Sequence, residues 1–170
     1  MNTTNLQLHI SGRSVTIRPI RISDQAIEAE FVRRLSPLSR HYRFFSGIRE
    51  LSPRAAKSFC DVDGNHSMAF IATLQEEGQE TQIGVSRFAP NNKEDVREMA
   101  LTIADSWQKQ GLGKLLCEKL FEFAKDHGVK KLYSVELADN QAMHDLAREL
   151  GMTATTDKDD AKQVIYSLTL

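Results

Sequence analysis

The chain has 170 residues, enough for one domain with a sizeable core, and at 41% hydrophobic and 26% charged it is ordinary for a globular protein. Its 22 basic residues nearly balance 23 acidic ones, a formal net charge of -1, which argues against a nucleic-acid binder working through a large basic surface. Two cysteines, Cys60 and Cys117, are too few for a disulfide framework and fit reduced thiols in a cytoplasmic protein; no apolar run reaches membrane-spanning length, and "MNTTNLQLHISGRS" lacks the basic and apolar regions of a secretory leader.

From the N-terminus, "LQLHI", "SGRS" and "VTIRPI" read as strand, turn and strand, with alternation through Val15, Ile17 and Ile20. "SDQAIEAEFVRRL" reads as a helix, with Ser23 as N-cap and Ile27, Phe31 and Leu35 at four-residue spacing. "SPLSRHYRFFSG" predicts a second short helix closed by Gly47, and "LSPRAAKSFC" a third, capped by Ser52 with Pro53 at its first position. "SMAFIATL", "TQIGVSRFA" and "VREMALTIA", joined by polar turns, read as an antiparallel meander. "GLGKLLCEKLFEFAKDHG" is the clearest helix: Leu112, Leu115, Leu116, Leu120, Phe121 and Phe123 make its apolar face and Gly128 stops it. "KKLYSVEL" is a strand, "NQAMHDLAREL" a helix ended by Gly151, "TTDKDD" a polar loop and "KQVIYSLTL" a last strand. This order predicts a single α+β domain over residues 1–170, a mostly antiparallel twisted sheet of about seven strands flanked by helices.

The segment Gln108-Lys109-Gln110-Gly111-Leu112-Gly113-Lys114 lies between a strand and a helix. N–H groups at a helix start have no internal partners and carry partial positive charge, so a glycine-rich turn lets them close around an anion, with Lys109 and Lys114 adding charge. A phosphate loop of the Walker type needs glycine where Gln108 stands and Ser or Thr at Leu115; a dinucleotide-binding fingerprint needs a third glycine at Leu116. On the glycines alone, a plain tight turn from strand to helix fits equally well.

The run Gln/Arg-x-x-Gly-x-Gly/Ala after a strand and opening a helix resembles motif A of the GNAT superfamily of N-acetyltransferases; here it is Gln108, Gly111 and Gly113. The superfamily's later motif, an Asn after the next strand and a short helix ending in Gly-Phe, is matched by "ADNQAMHDLARELGM", with Asn140, Gly151 and Met152. The element order matches over nearly the whole chain. "IRPIRISD" followed by "RRLSPLSRHYRFFSG" looks like the start of the acetyltransferase domain of bacterial protein-lysine acetyltransferases, the type that acts on acetyl-CoA synthetase. The acyl-CoA-synthetase-like region that often precedes that domain is not present, so the chain reads as a stand-alone version.

The resemblance implies acetyl-CoA as co-substrate and no metal. Its pantetheine arm would follow the strand Val96–Ala104, bonding the backbone of Leu101, Thr102 and Ile103; its pyrophosphate would sit over Gln108, Lys109, Gln110, Gly111, Leu112, Gly113 and Lys114; Asn140 and Met143 would flank its thiol end. An amine must lose its proton to react, and a free lysine keeps it to a pKa of about 10.4. Glu98 is the candidate base, because Met99, Leu101 and Ile103 share one strand face and Glu98, Ala100 and Thr102 the other, away from the core. The alternative is a solvated strand glutamate. Glu136 is the reserve base, more simply a surface charge. A backbone N–H near Ile103 would serve the oxyanion. The Tyr that protonates the leaving thiolate in many GNAT proteins is Ala147 here, which leaves water, the product ammonium or no dedicated acid.

The five histidines show no metal-ligand spacing. Arg33, Arg34, Arg40 and Arg43 read as solvated helix faces, Tyr42, Phe44 and Phe45 as core or groove lining, and Cys117 as a small core residue. The leading expectation is an acetyl-CoA-dependent N-acetyltransferase acting by direct transfer on a primary amine, with a protein lysine favoured over a small polyamine, amino acid or antibiotic. A non-catalytic acyl-CoA-binding module is the competing class. Neither nucleic acid nor membrane is expected as a partner, and the oligomeric state, a homodimer included, stays open.

Overall fold

The computed structural model describes residues 5–170, so the first four residues of the stretch read above for a leader lie outside the described residues. The opening alternation folds as β1 (Leu6–Ile10) and β2 (Arg13–Pro19), an antiparallel hairpin turning on Ser11 and Gly12, both at positive φ. Three helices follow: α1 (Gln25–Arg34), α2 (Pro37–Phe44) and α3 (Pro53–Cys60). Ser52 caps α3 as expected, accepting from Ala55 N at 3.2 Å, and Ser36 caps α2 in the same way through Ser39 N at 3.1 Å; each cap is followed by proline.

Two expected boundaries are corrected. Asp24, not Ser23, takes the N-cap position of α1, and its carboxylate turns back to accept from Arg21 N at 2.7 Å and from both Arg18 Nη atoms, at 2.7 and 2.9 Å. A buried guanidinium needs that charge more than the helix start needs a cap. α2 ends not at Gly47 but at Phe45, which adopts the left-handed conformation at φ 55 and donates its N–H to His41 O at 2.8 Å.

The meander is β3 (Met68–Glu76), β4 (Gln79–Pro90) and β5 (Val96–Ile103). Then come α4 (Leu112–Asp126), β6 (Lys131–Leu137), α5 (Gln141–Glu149), β7 (Thr153–Thr156) and β8 (Gln163–Thr169). One eight-stranded sheet results, ordered β1-β2-β3-β4-β5-β6-β8-β7 and antiparallel at every junction except the parallel β5–β6 pair. The strand beyond the expected seven is β7, four exposed residues with no hydrophobic alternation, held by pairing with β8.

The sheet is covered on both faces, which is why β3 is buried along most of its length. Phe70, Ala72 and Leu74 join the core under α4, with Leu112, Leu116 and Leu120 wholly enclosed; Ala69 and Ile71 pack instead with Phe31, Val32 and Leu35. Cys60 and Cys117 are free and buried, each in one of these cores. Among the described residues, no helix is long and apolar enough to cross a membrane.

The break in the sheet is what positions the site. β5 and β6 pair only through Val96↔Lys131, Arg97↔Leu132 and Glu98↔Tyr133. Beyond that point β5 stays with β4 as far as Ile103, and β6 stays with β8 as far as Leu137, so the two strands part into a fork.

Candidate active site

The fork opens onto a cavity of about 610 Å³ between β5, α2 and the N-terminal ends of α4 and α5. Ala104 N donates to Ile83 O at 2.9 Å, so strand alternation turns the backbone of Thr102 toward β4 and that of Leu101 and Ile103 into the fork. The expectation for Thr102 is corrected accordingly: its main chain is committed to the sheet. Its side chain lines the cavity, and its Oγ1 is buried with no hydrogen-bond partner. Buried hydroxyls are rarely left so.

The two glycines of the loop have different jobs. Gly111 has φ +85 at the N-cap of α4, a conformation that costs a residue with a Cβ. Gly113 has ordinary φ, but a Cβ there would lie 3.3 Å from both Leu101 Cδ2 and Leu146 Cδ2. No side chain caps α4, so the N–H groups at its start keep their free valences toward the cavity. Lys109, at φ 58, lines the same wall, and Lys114 Nζ lies 2.8 Å from Glu149 Oε1 across the cavity mouth.

Gln108 donates from Nε2 to Ile103 O at 3.1 Å, tying the loop to the strand it leaves. Asp105 ties it to α2, accepting from Ser36 N, Ser36 Oγ and Ser39 Oγ at 2.9, 2.6 and 2.7 Å. Burial opposes this carboxylate, but those bonds from Ser36 and Ser39 hold its pKa below the usual value. Asn140 caps α5, accepting from Met143 N at 3.2 Å, and both residues also line the cavity. Two expected residues do not face it with their side chains. Leu112 is fully buried in the core, and Gln110 is turned to Ser11 Oγ and Ser106 O.

A smaller cavity of about 190 Å³ opens at the crotch of the fork, lined by Glu98, Ser134, Glu136 and the α2 residues Tyr42, Arg43 and Phe44. Glu98 is exposed, on the strand face opposite Met99, Leu101 and Ile103, and its Oε2 accepts from Tyr133 OH at 3.2 Å. Asn91 Nδ2 donates to the same hydroxyl at 2.7 Å.

Glu136 is not a surface charge. It is 8% exposed and lines both cavities. Burial pushes its carboxyl up to about 7, against the hydrogen bond from Ser134 Oγ and the charge of Arg43, which offset only part of the shift. The sequence carried a signal for this: Leu132, Ser134 and Glu136 alternate on one face of β6, and Leu132 is wholly core. Arg43 also departs from the solvated reading. Its guanidinium lies 5.0 Å from the Phe44 ring centroid and 5.8 Å from that of Phe59, it lines both cavities, and burial together with Arg87 pushes its pKa down to about 10. Arg33 and Arg34 do lie on the surface, paired with Glu30.

Ala147 is 1% exposed within the core and presents no proton donor to the cavity. Among the described residues no cluster of three or more His, Cys, Asp or Glu side chains could hold a metal ion. The site therefore combines an unpaired strand edge, a helix N-terminus at its end, and two carboxylates at its crotch. That is a track for an elongated ligand bearing amides and phosphates, with acid–base groups beside one end.

Comparison with known proteins agrees with this geometry. The family model described as Acetyltransferase (GNAT) family matches residues 34–152. A Pseudomonas aeruginosa protein named Acetyltransferase PA5475 is 43% identical over 159 residues, 94% of this chain and 86% of that protein. Among solved structures, the GNAT domain of S. lividans PAT superposes with a TM-score of 0.87 at 22% identity, covering 98% of this chain and 97% of that one. A ribosomal-protein-S5-alanine acetyltransferase from Vibrio fischeri has a TM-score of 0.74 at 12% identity, covering 98% and 96%.

Proposed function

The chain belongs to the GNAT acetyltransferase family, and from that premise we propose that it moves the acetyl group of acetyl-CoA directly to a lysine amine of a protein, with Glu98 as general base. The observation that carries this reading is the fork, whose free edge on β5 is followed, after the loop that ends at Gly111, by the uncapped start of α4.

The residues fit the co-substrate. The backbone groups of Leu101 and the carbonyl of Ile103 would hold its amide-bearing arm as an added strand does, and the orphan Thr102 Oγ1 lies beside them. The N–H groups from Gly111 to Lys114, with Lys109 near them, would hold its pyrophosphate. When bound, acetyl-CoA supplies an acetyl group activated as a thioester.

The smaller cavity supports an amine acceptor. Its aromatic wall suits an alkyl chain, and the carboxylate of Glu98 favours an ammonium. Its volume of about 190 Å³ suits one slender side chain better than a bulky small molecule. Glu98 accepts the amine proton directly or through water, and the N–H of Ile103 donates to the carbonyl oxygen as negative charge develops there. We assign the protein to the cytoplasm, on the support of its two free, buried thiols.

The test is calorimetric titration with acetyl-CoA, followed by an acetyl-transfer screen of lysine peptides and polyamines with wild type and Glu98→Gln. The expected outcome is binding by both proteins with affinities within threefold, transfer to peptides by wild type, and a loss in kcat on the order of 10²-fold in the variant. Transfer to polyamines alone would overturn the lysine acceptor. Tight binding with no transfer to any amine would mark an acyl-CoA sensor.

A further inference from the structure

Acetyl transfer leaves one proton without a source. The sulfur that departs must be protonated, and α5 offers no proton donor at Ala147, which is enclosed in the core. We propose that Glu136 is the catalytic residue that protonates the leaving sulfur, an inference that rests on the acetyl-transfer reading above.

The geometry supplies the reasons. Glu136 lies three residues past Tyr133, the last residue of β6 in register with β5, and so inside the fork. Strand alternation places it on the sheet face of Leu132, Met99 and α4, whereas Glu98 is on the face of Tyr133. The two carboxylates flank the fork from opposite sides, and both line the small cavity at its crotch. One can take the proton of the arriving amine while the other supplies the departing sulfur. Ser134 Oγ donates to Glu136 Oε1, which leaves Oε2 to carry the proton.

The neighbours keep the group protonatable near neutrality. From α2 comes Arg43, which favours the charged form; from α4 comes Cys117 and from β8 Tyr166, both buried and both made harder to ionise by Glu136. Glu98 faces the crotch from β5, and Lys114, Asp145 and Glu149 stand along the larger cavity. Burial outweighs Arg43 and Ser134, so the carboxyl holds its proton to about pH 7. An alkyl thiol binds its proton to about pH 8.5, so transfer from this carboxyl to a thiolate runs downhill. Tyr42 also lines both cavities, but its hydroxyl is aimed at Asp139 O at 3.4 Å.

The step balances without an oxidant. The nitrogen lone pair forms the C–N bond and the amine's surplus proton goes to Glu98. The C–S bond breaks with its electron pair on sulfur, and the proton on Glu136 moves to that sulfur, giving a free thiol and a carboxylate. Glu98 returns its proton to solvent and solvent reprotonates Glu136 before the next turnover.

The experiment compares wild type, Glu136→Gln, Glu136→Asp and Tyr42→Phe, each first checked for a single cooperative melting transition. Acetyl-CoA affinity is measured by calorimetry, kcat from pH 6 to 10, and the carboxyl titration by NMR of protein labelled at the glutamate carboxyl carbons. Glu136→Gln is expected to bind acetyl-CoA within threefold of wild type, to lose on the order of 10²-fold in kcat, and to lack the decline in kcat that wild type shows as the acid ionises. Glu136→Asp is expected to restore part of the rate and the decline. In the spectra, the signal absent from Glu136→Gln is expected to titrate near pH 7 and to shift upward when acetyl-CoA binds. A kcat within threefold of wild type, a pH decline that persists in Glu136→Gln and vanishes in Tyr42→Phe, or a midpoint at ordinary glutamate values would each overturn the proposal. Wild type that transfers to no amine would instead bring down the transfer reading, and this inference with it.

Discussion

Gly113 shows how tightly the loop and the fork are built together. Its missing side chain is the space into which Leu101 and Leu146 pack, one from the strand that borders the fork and one from the helix beyond it. Gly113→Ala should push both leucines outward by a few tenths of an ångström, costing about 1 kcal/mol of stability and weakening acetyl-CoA binding, as thermal melting and calorimetry would report. Glu136 makes a prediction that needs no substrate. Its folded-state pKa of about 7 lies above the ordinary 4.5, so folding favours the protonated form. Wild type and Glu136→Gln should therefore be alike in stability below about pH 4. As pH rises toward 7 wild type should fall behind, by up to about 3 kcal/mol, and the deficit should stay constant above that. Melting temperatures of the two proteins between pH 4 and 9 would check it. Glycines 111 and 113 were legible as a pair, but not their separate reasons: φ and packing distance are facts of three dimensions. The burial of Glu136 was legible in the alternation of β6, had the character of a charged residue not outweighed its position.

Among the elements, α1 and α2 do unlike work. α1 is anchored by charge: Glu28, 2% exposed, accepts from Arg87 Nη2 at 3.0 Å and Gln82 Nε2 at 2.6 Å, joining the helix to β4. Glu28→Ala would strand a buried guanidinium that also stacks 4.6 Å from the Phe59 ring, and should cost about 3–5 kcal/mol in chemical denaturation. Glu28→Gln, which keeps one acceptor, should cost less. α2, with no residue fully buried, is held by Asp105 through the serines at its start and brings Tyr42 and Arg43 to both cavities. Helix caps such as Ser52 and Asn140 could be read from local sequence because their partners lie three residues away. The Asp105–Ser36 and Arg87–Glu28 contacts could not, since 69 and 59 residues separate them.

At the scale of the whole molecule, one sheet runs from β1 to β7, forked between β5 and β6, with cores on both faces. We expect residues 1–170 to unfold as a single domain, with one calorimetric transition whose enthalpy agrees with the van't Hoff value; two resolved transitions would divide the chain. The order of elements was readable because each strand and helix carries its own periodicity. β7, exposed along its length and lacking a period, was not. The fork has a mechanical meaning as well. The portion from Lys131 onward hangs on the rest of the sheet by three register pairs, reinforced by Lys130 N and Lys131 N, which both donate to Asp95 O. The two sides of the fork share one core with α4, and a rod laid between them acts as a strut. Loading the fork should therefore stiffen the two sides against twisting, and release of the spent rod should be the moment of greatest compliance in the cycle.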